Sequence, residues 1–304
     1  MRGVKREGGI NVVNFGRLLT AMVTPFTAEG EVDYQGASKL ALRLVENGSD
    51  GLVIAGTTGE SPTLSTEEKI RLFSTVVETV GGKATVIAGT GTNDTKKSIE
   101  LTKEAEKTGV DGIMAIAPYY NKPPQEGLFQ HFKAIAEATS LPVMIYNIPG
   151  RTGINITPQT MARLAQIDNI VALKEAAGDL NQAAEMIKLL PKDFLVYSGD
   201  DSLTLPIMSV GGAGVISVAA HVVGRRLKTM VDDYVQGRIN EAAKTHQELL
   251  PLFKVLFITT NPIMVKAALK LLGFEVGSLR LPLVEATSEQ IEKLKSVLQD
   301  LGLI

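Results

Sequence analysis

The sequence predicts a (β/α)8 barrel carrying a C-terminal helical extension. Three observations lead there. Eight short runs rich in Val, Ile, Leu and Ala recur at 18–23, 51–54, 85–88, 112–117, 142–146, 170–174, 194–198 and 214–218. Between successive runs lie roughly 15–30 residues, several stretches of them with helical apolar spacing. Continuous apolar strands alternating with helices are the pattern of parallel strands covered on their outer face, and eight such units argue for closure.

Taken in order, the first run meets Thr24-Pro25-Phe26, where an open doubly wound sheet would want a glycine fingerprint. A helix over 35–46 ends at Gly48 and leads to the second run. Ser65-Thr66-Glu67-Glu68 then has the spacing of a capping box and opens a helix over 67–79 that stops at Gly81. Gly89-Thr90-Gly91 follows the third run but lacks the later glycine of a nucleotide loop. Asn93-Asp94-Thr95 starts a helix over 96–107 that ends near Gly109, and a further helix covers 128–138. Thr157-Pro158 starts another after the fifth run. Gly211-Gly212-Ala213-Gly214, before the eighth run, reads as a tight turn rather than a phosphate nest. Beyond residue 237 the periodicity is helical only, at 241–257, 262–272 and 288–301. The expected organisation is a loose basic tail over 1–16, a barrel over 17–237 and a helical region over 238–304.

Bulk properties narrow the function. The chain has 304 residues, 44% of them hydrophobic and 21% charged, with a net charge of −2. Near-neutral charge gives no reason to expect a nucleic-acid or anionic-membrane partner. Zero cysteines remove disulfides and thiolate chemistry and fit a reducing, cytoplasmic setting. His131, His221 and His246 share no ligand spacing, so they read as packing or surface residues and no metal is expected. No apolar run reaches the ~18 residues that a bilayer requires, and the N-terminus has no secretory apolar core.

Barrel chemistry sits at the carboxyl ends of the strands. Those positions here hold Gly56-Thr57-Thr58-Gly59-Glu60-Ser61, Pro118-Tyr119-Tyr120-Asn121-Lys122-Pro123, Tyr146-Asn147-Ile148-Pro149-Gly150-Arg151-Thr152-Gly153 and Lys174. Three of the six tyrosines fall in this set, which is why it reads as a site rather than as loop chemistry. A lysine closing the apolar run Ile170–Leu173 either snorkels to solvent or is desolvated there. Desolvation favours the neutral amine, a nucleophile whose usual chemistry is a Schiff base with a carbonyl substrate. The convergence of hydroxyls, phenols and a guanidinium favours the nucleophile. Glu175, next along the strand, points to the opposite side and is not expected to partner the lysine.

Gly-Thr-Thr-Gly-Glu-Ser, Tyr-Tyr-Asn-Lys-Pro, Tyr-Asn-Ile-Pro-Gly-Arg-Thr-Gly and Val-Ala-Leu-Lys-Glu-Ala, in that order, resemble the dihydrodipicolinate synthase and N-acetylneuraminate lyase superfamily of class I aldolases. The likeness runs from about Gly16 to the C-terminus and is to the synthase branch. It implies a (β/α)8 barrel with a C-terminal helical domain and a condensation of pyruvate with L-aspartate 4-semialdehyde in lysine and diaminopimelate biosynthesis. By motif, Lys174 matches the Schiff-base lysine and Tyr146 the proton shuttle. Thr57 and Tyr120 match its relay partners, with Tyr120 reaching a neighbouring subunit. Thr58 matches the binder of the pyruvate carboxylate, Ile216 a residue whose backbone borders pyruvate, and Arg151 the arginine that receives the semialdehyde carboxylate. No cofactor is implied, because the iminium itself is the electron sink, and a homotetramer built as a dimer of dimers is implied. The competing reading is another pyruvate-dependent aldolase, acting on neuraminate or a 2-keto-3-deoxy-sugar acid. Arg151 favours the synthase, since a guanidinium fork suits a carboxylate better than sugar hydroxyls.

Members inhibited by lysine hold its ammonium with a glutamate four residues after an asparagine, helped by histidines. Asn93, Ser61 and Tyr119 fit that site here, but Lys97 stands at the glutamate position and Thr66 and Lys69 at the histidine positions. Insensitivity to millimolar L-lysine is the expectation.

Overall fold

Parallel pairing runs all the way round. The structure, a computed structural model, describes residues 4–7 and 10–304. β3 (Leu18–Ala21), β4 (Gly51–Ile54), β5 (Thr85–Gly89), β6 (Gly112–Ile116), β7 (Val143–Asn147), β8 (Ile170–Glu175), β9 (Leu195–Ser198) and β10 (Gly214–Ser217) follow one another in chain order, and β10 closes on β3. Before them, β1 (Val4–Glu7) and β2 (Ile10–Val13) pair antiparallel, with Val4 opposite Val13 and Glu7 opposite Ile10. Two paired strands therefore occupy much of the stretch expected to be a loose tail.

The chain divides into two compact units, one holding 85–216 with the residues up to Arg17, the other 18–84 with 217–304. In the first, β5 to β10 line up in parallel register: Ile113 lies beside Val143, Ile145 beside Leu173, and Leu173 beside Val196. These side chains are completely or almost completely buried, as expected of strands covered by helices. Helices Thr95–Glu106, Gln125–Ala136, Pro158–Leu164, Leu180–Leu189 and Thr204–Ser209 alternate with the strands. The side chains of Asp94, Thr157 and Asp179 accept from first-turn N–H groups that would otherwise lack partners. Gly91, in the Gly89-Thr90-Gly91 run, has a packing reason rather than a nucleotide-binding one. A Cβ there would sit 2.4 Å from the backbone nitrogen of Ile116, so the chain passes too close to β6 for any side chain.

The second unit pairs β3 with β4, Leu19 beside Gly51, beneath helices Tyr34–Glu46 and Thr66–Val80. Ser65 and Glu68 form the expected capping box. After β10, helices Ala220–Val235, Ile239–Val255, Ile263–Leu271 and Ser288–Asp300 bury Leu227, Leu249, Met264, Leu269 and Leu294. None of the helices is long and apolar enough to cross a membrane among the described residues.

Candidate active site

In the first unit, Tyr146 and Lys174 are the penultimate residues of β7 and β8 and stand directly side by side in the parallel register. Their side chains meet: the lysine Nζ lies 4.3 Å from the centre of the tyrosine ring. Lys174 is only 5% exposed. Burial lowers its pKa to about 8; the carboxylate of Asp201 opposes the shift and the guanidinium of Arg151 adds to it. About a quarter of such an amine is neutral at pH 7.5, against roughly one part in a thousand for an ordinary lysine near 10.4. Gly199, just past β9, makes room for it. A Cβ there would lie 3.1 Å from Lys174 Cε and 2.7 Å from the Ala176 Cβ.

The opposite side of the same strands is clamped. Asn147, beside Glu175 in register, donates from Nδ2 to both carboxylate oxygens at 3.3 and 3.0 Å and to Asn155 Oδ1 at 2.8 Å. Glu175 also accepts from the Ala177 backbone at 2.6 Å, and Asn155 bonds Gln182. Burial raises the pKa of Glu175 against these hydrogen bonds. The glutamate thus faces away from the lysine, as the strand alternation predicts, and its network fixes the strand ends that carry Tyr146 and Lys174.

Arg151 lies in a single helical turn, Pro149–Thr152, after β7 and is exposed. Tyr120, after β6, is 88% exposed with φ of 74°, and its N–H donates to Thr152 O at 3.3 Å. Ile216, in β10, is fully buried.

Thr57 and Thr58 belong to the second unit, in the loop after β4; Thr57 is half-buried and Thr58 buried. Thr58 Oγ1 accepts from the Asn261 amide at 2.9 Å. Glu60 forms an ion pair with Lys266 at 2.6 Å with both side chains essentially unexposed. Lys266 also donates to Ser278 O at 2.9 Å, and Glu60 Oε2 accepts from the Arg280 backbone at 3.0 Å. Arg280 in turn grips Glu68 with both Nη atoms. Among the described residues, the non-glycine positions with positive φ are Ala55, Glu60, Tyr120 and Lys122. All four lie in the loops after β4 and β6, where left-handed backbone costs about 1–2 kcal/mol per residue.

Reading strand ends singled out Lys174 and Tyr146, which the structure brings together, and the threonine pair, which lies in the second unit. Asp201, whose carboxylate acts on Lys174, obeys the same rule, in the Ser198-Gly199-Asp200-Asp201 run after β9. Asn261 carries no such signal, because it lies beyond the last barrel strand.

The dihydrodipicolinate synthetase family model matches residues 14–301. A 4-hydroxy-tetrahydrodipicolinate synthase from Desulforamulus reducens is 61% identical over 296 residues, covering 97% of this chain and all of the relative. The synthase of Moorella thermoacetica is 60% identical over 292 residues, covering 96% of this chain and all of that one. The crystal structure of DHDPS from Cyanidioschyzon merolae with lysine bound superposes with a TM-score of 0.94 at 50% identity, covering 95% of this chain and 99% of that one.

Proposed function

We infer the function from one premise, that this chain belongs to the dihydrodipicolinate synthetase family. It is a lyase that condenses pyruvate with L-aspartate 4-semialdehyde to 4-hydroxy-tetrahydrodipicolinate, in lysine and diaminopimelate biosynthesis. The observation that carries the reading is the buried amine of Lys174 against the Tyr146 ring.

The neutral Lys174 amine attacks the pyruvate ketone, and loss of water leaves an imine. Its protonated form draws electrons from the methyl carbon, a methyl proton leaves, and the enamine adds to the aldehyde carbon. The substrate's own amine then attacks the imine carbon, closes the ring and releases Lys174. Each step moves a proton, so one held phenol can serve them all. Tyr146 is that phenol, with Thr57 and Tyr120 relaying the proton to solvent. Thr58 binds the pyruvate carboxylate, the Ile216 backbone borders the bound pyruvate, and Arg151 takes the semialdehyde carboxylate with its planar fork.

The working assembly is a homotetramer, a dimer of dimers, in which Tyr120 reaches into a neighbouring site; its exposure and left-handed backbone support that reading. The catalytic barrel spans 17–237 and the helical region 238–304, and the enzyme works in the cytoplasm. Borohydride reduction in the presence of pyruvate, followed by peptide mapping, tests the mechanism. An adduct on Lys174 is expected; an adduct elsewhere, or none, removes it.

A further inference from the structure

Two buried side chains 203 positions apart meet in the second unit: Asn261 Nδ2 donates to Thr58 Oγ1 at 2.9 Å, with Asn261 5% and Thr58 3% exposed. A carboxamide nitrogen can only donate, and a hydroxyl has one hydrogen to give and two lone pairs to offer. With one lone pair committed to the amide, the threonine hydrogen is directed elsewhere. The contact therefore sets the sense of the hydroxyl as well as its place.

The helix following Asn261 is anchored one turn further on. Lys266 pairs with Glu60, two residues beyond Thr58, and the pair is buried against the Phe26 ring, with Lys266 Nζ 4.2 Å from its centre. The loop after β4 is thus held to one helix start at two points. Glu60 sits in left-handed backbone at φ 55°, ψ 37°, a conformation that persists where the surroundings over-determine it.

We propose that Asn261 is the positioning residue that makes the oxoacid site select a carboxylate, by holding the Thr58 hydroxyl as a hydrogen-bond donor toward the substrate. The proposal rests on the reading of Thr58 as the group that binds the pyruvate carboxylate. A carboxylate only accepts, so it matches a hydroxyl held as donor. A primary amide of the same shape presents N–H groups to part of that site and is rejected. Without Asn261 the hydroxyl turns either way and the distinction fades.

The experiment compares pyruvate with pyruvamide, each trapped on the enzyme by borohydride, in the wild type and in Asn261→Ala. The ratio of the two trapping efficiencies is taken on one preparation, so a partly folded variant still reports it. The wild type is expected to favour pyruvate, and Asn261→Ala to lower that ratio at least about tenfold, the size of one hydrogen bond's discrimination. In a Thr58→Val background, Asn261→Ala is expected to leave the ratio unchanged, because the hydroxyl it orients is gone. An unchanged ratio in the single variant, or an equal further drop in the Thr58→Val background, overturns the proposal while leaving the lysine chemistry standing. Failure of the wild type to trap pyruvate at all overturns both.

Discussion

Lys174 fixes a pH dependence whose sign follows from its surroundings. Its pKa is lowered to about 8, chiefly by burial, so the nucleophilic form is lost as pH falls through that value. The rate of borohydride trapping with saturating pyruvate is expected to fall about tenfold per pH unit below 7 and to level off above 9. A flat profile from pH 6 to 9 would mean the amine is not the rate-limiting nucleophile. Gly199→Ala puts a methyl group against Lys174 Cε and Ala176, and is expected to slow trapping by about 10–100-fold, since displacements near 1 Å at a reacting group have effects of that size. Trapping at the wild-type rate would show that the amine does not need its present position. Arg151→Ala should lower use of the semialdehyde by about 10–150-fold, the worth of one charge-assisted contact, with pyruvate trapping intact. If trapping falls as far as turnover, the arginine serves another purpose. Lys174 was legible because a charge ending an apolar run is conspicuous in sequence. Asp201 was equally available at a strand end, whereas Asn261 acquires meaning only from a contact across 203 positions.

At the scale of elements, each observed barrel strand begins and ends within two residues of its apolar run. The helix Gln125–Ala136 begins earlier than its apolar spacing indicates, because Pro124 caps it without a side-chain bond and Gln125-Glu126-Gly127 adds no apolar residue. The turn Pro149–Thr152 is too short to show any period. His221 joins two elements: Val23 N–H donates to its Nε2 at 3.2 Å and its Nδ1 lies 2.8 Å from Val218 O, so the ring is neutral with the proton on Nδ1. Burial lowers its pKa to about 4. The unfolded chain takes up the proton first, so the stability present above pH 6.5 is lost as pH falls toward 4, by roughly 3 kcal/mol in full. The Tm advantage of the wild type over His221→Gln should therefore shrink between pH 6.5 and 4.5; a constant difference would contradict the assignment. The Glu60–Lys266 pair makes a second prediction. Lys266→Ala strands a buried carboxylate and should cost about 3–5 kcal/mol, whereas Glu60→Gln with Lys266→Met should cost much less. Thermal melts of the three proteins decide it, and equal losses would show that packing, not charge, dominates there.

For the whole molecule, closure of the barrel was legible from counting eight units, but the strand pair before β3 was not, because a basic, glycine-bearing start resembles an unstructured end. The assembly is tested by complementation: mixed oligomers of Tyr120→Phe and Lys174→Ala are expected to regain activity that neither parent has. Recovery no better than the parents would place Tyr120 in its own subunit's site. Lys97, exposed near the start of the helix Thr95–Glu106, is the cation that the resemblance sets at the position of the ammonium-binding glutamate, and on that reading millimolar L-lysine is expected to leave turnover unchanged. Inhibition below millimolar in a coupled reductase assay would show that the ammonium is held by other groups. Tyr120 finally bears on how the protein must be handled. In the proposed assembly this ring, 88% exposed on left-handed backbone, completes a proton relay only when a second chain is present. Specific activity should then depend on how dilute the enzyme is, declining with a lag as an assay is started from ever weaker stocks, while the Lys174 adduct continues to form.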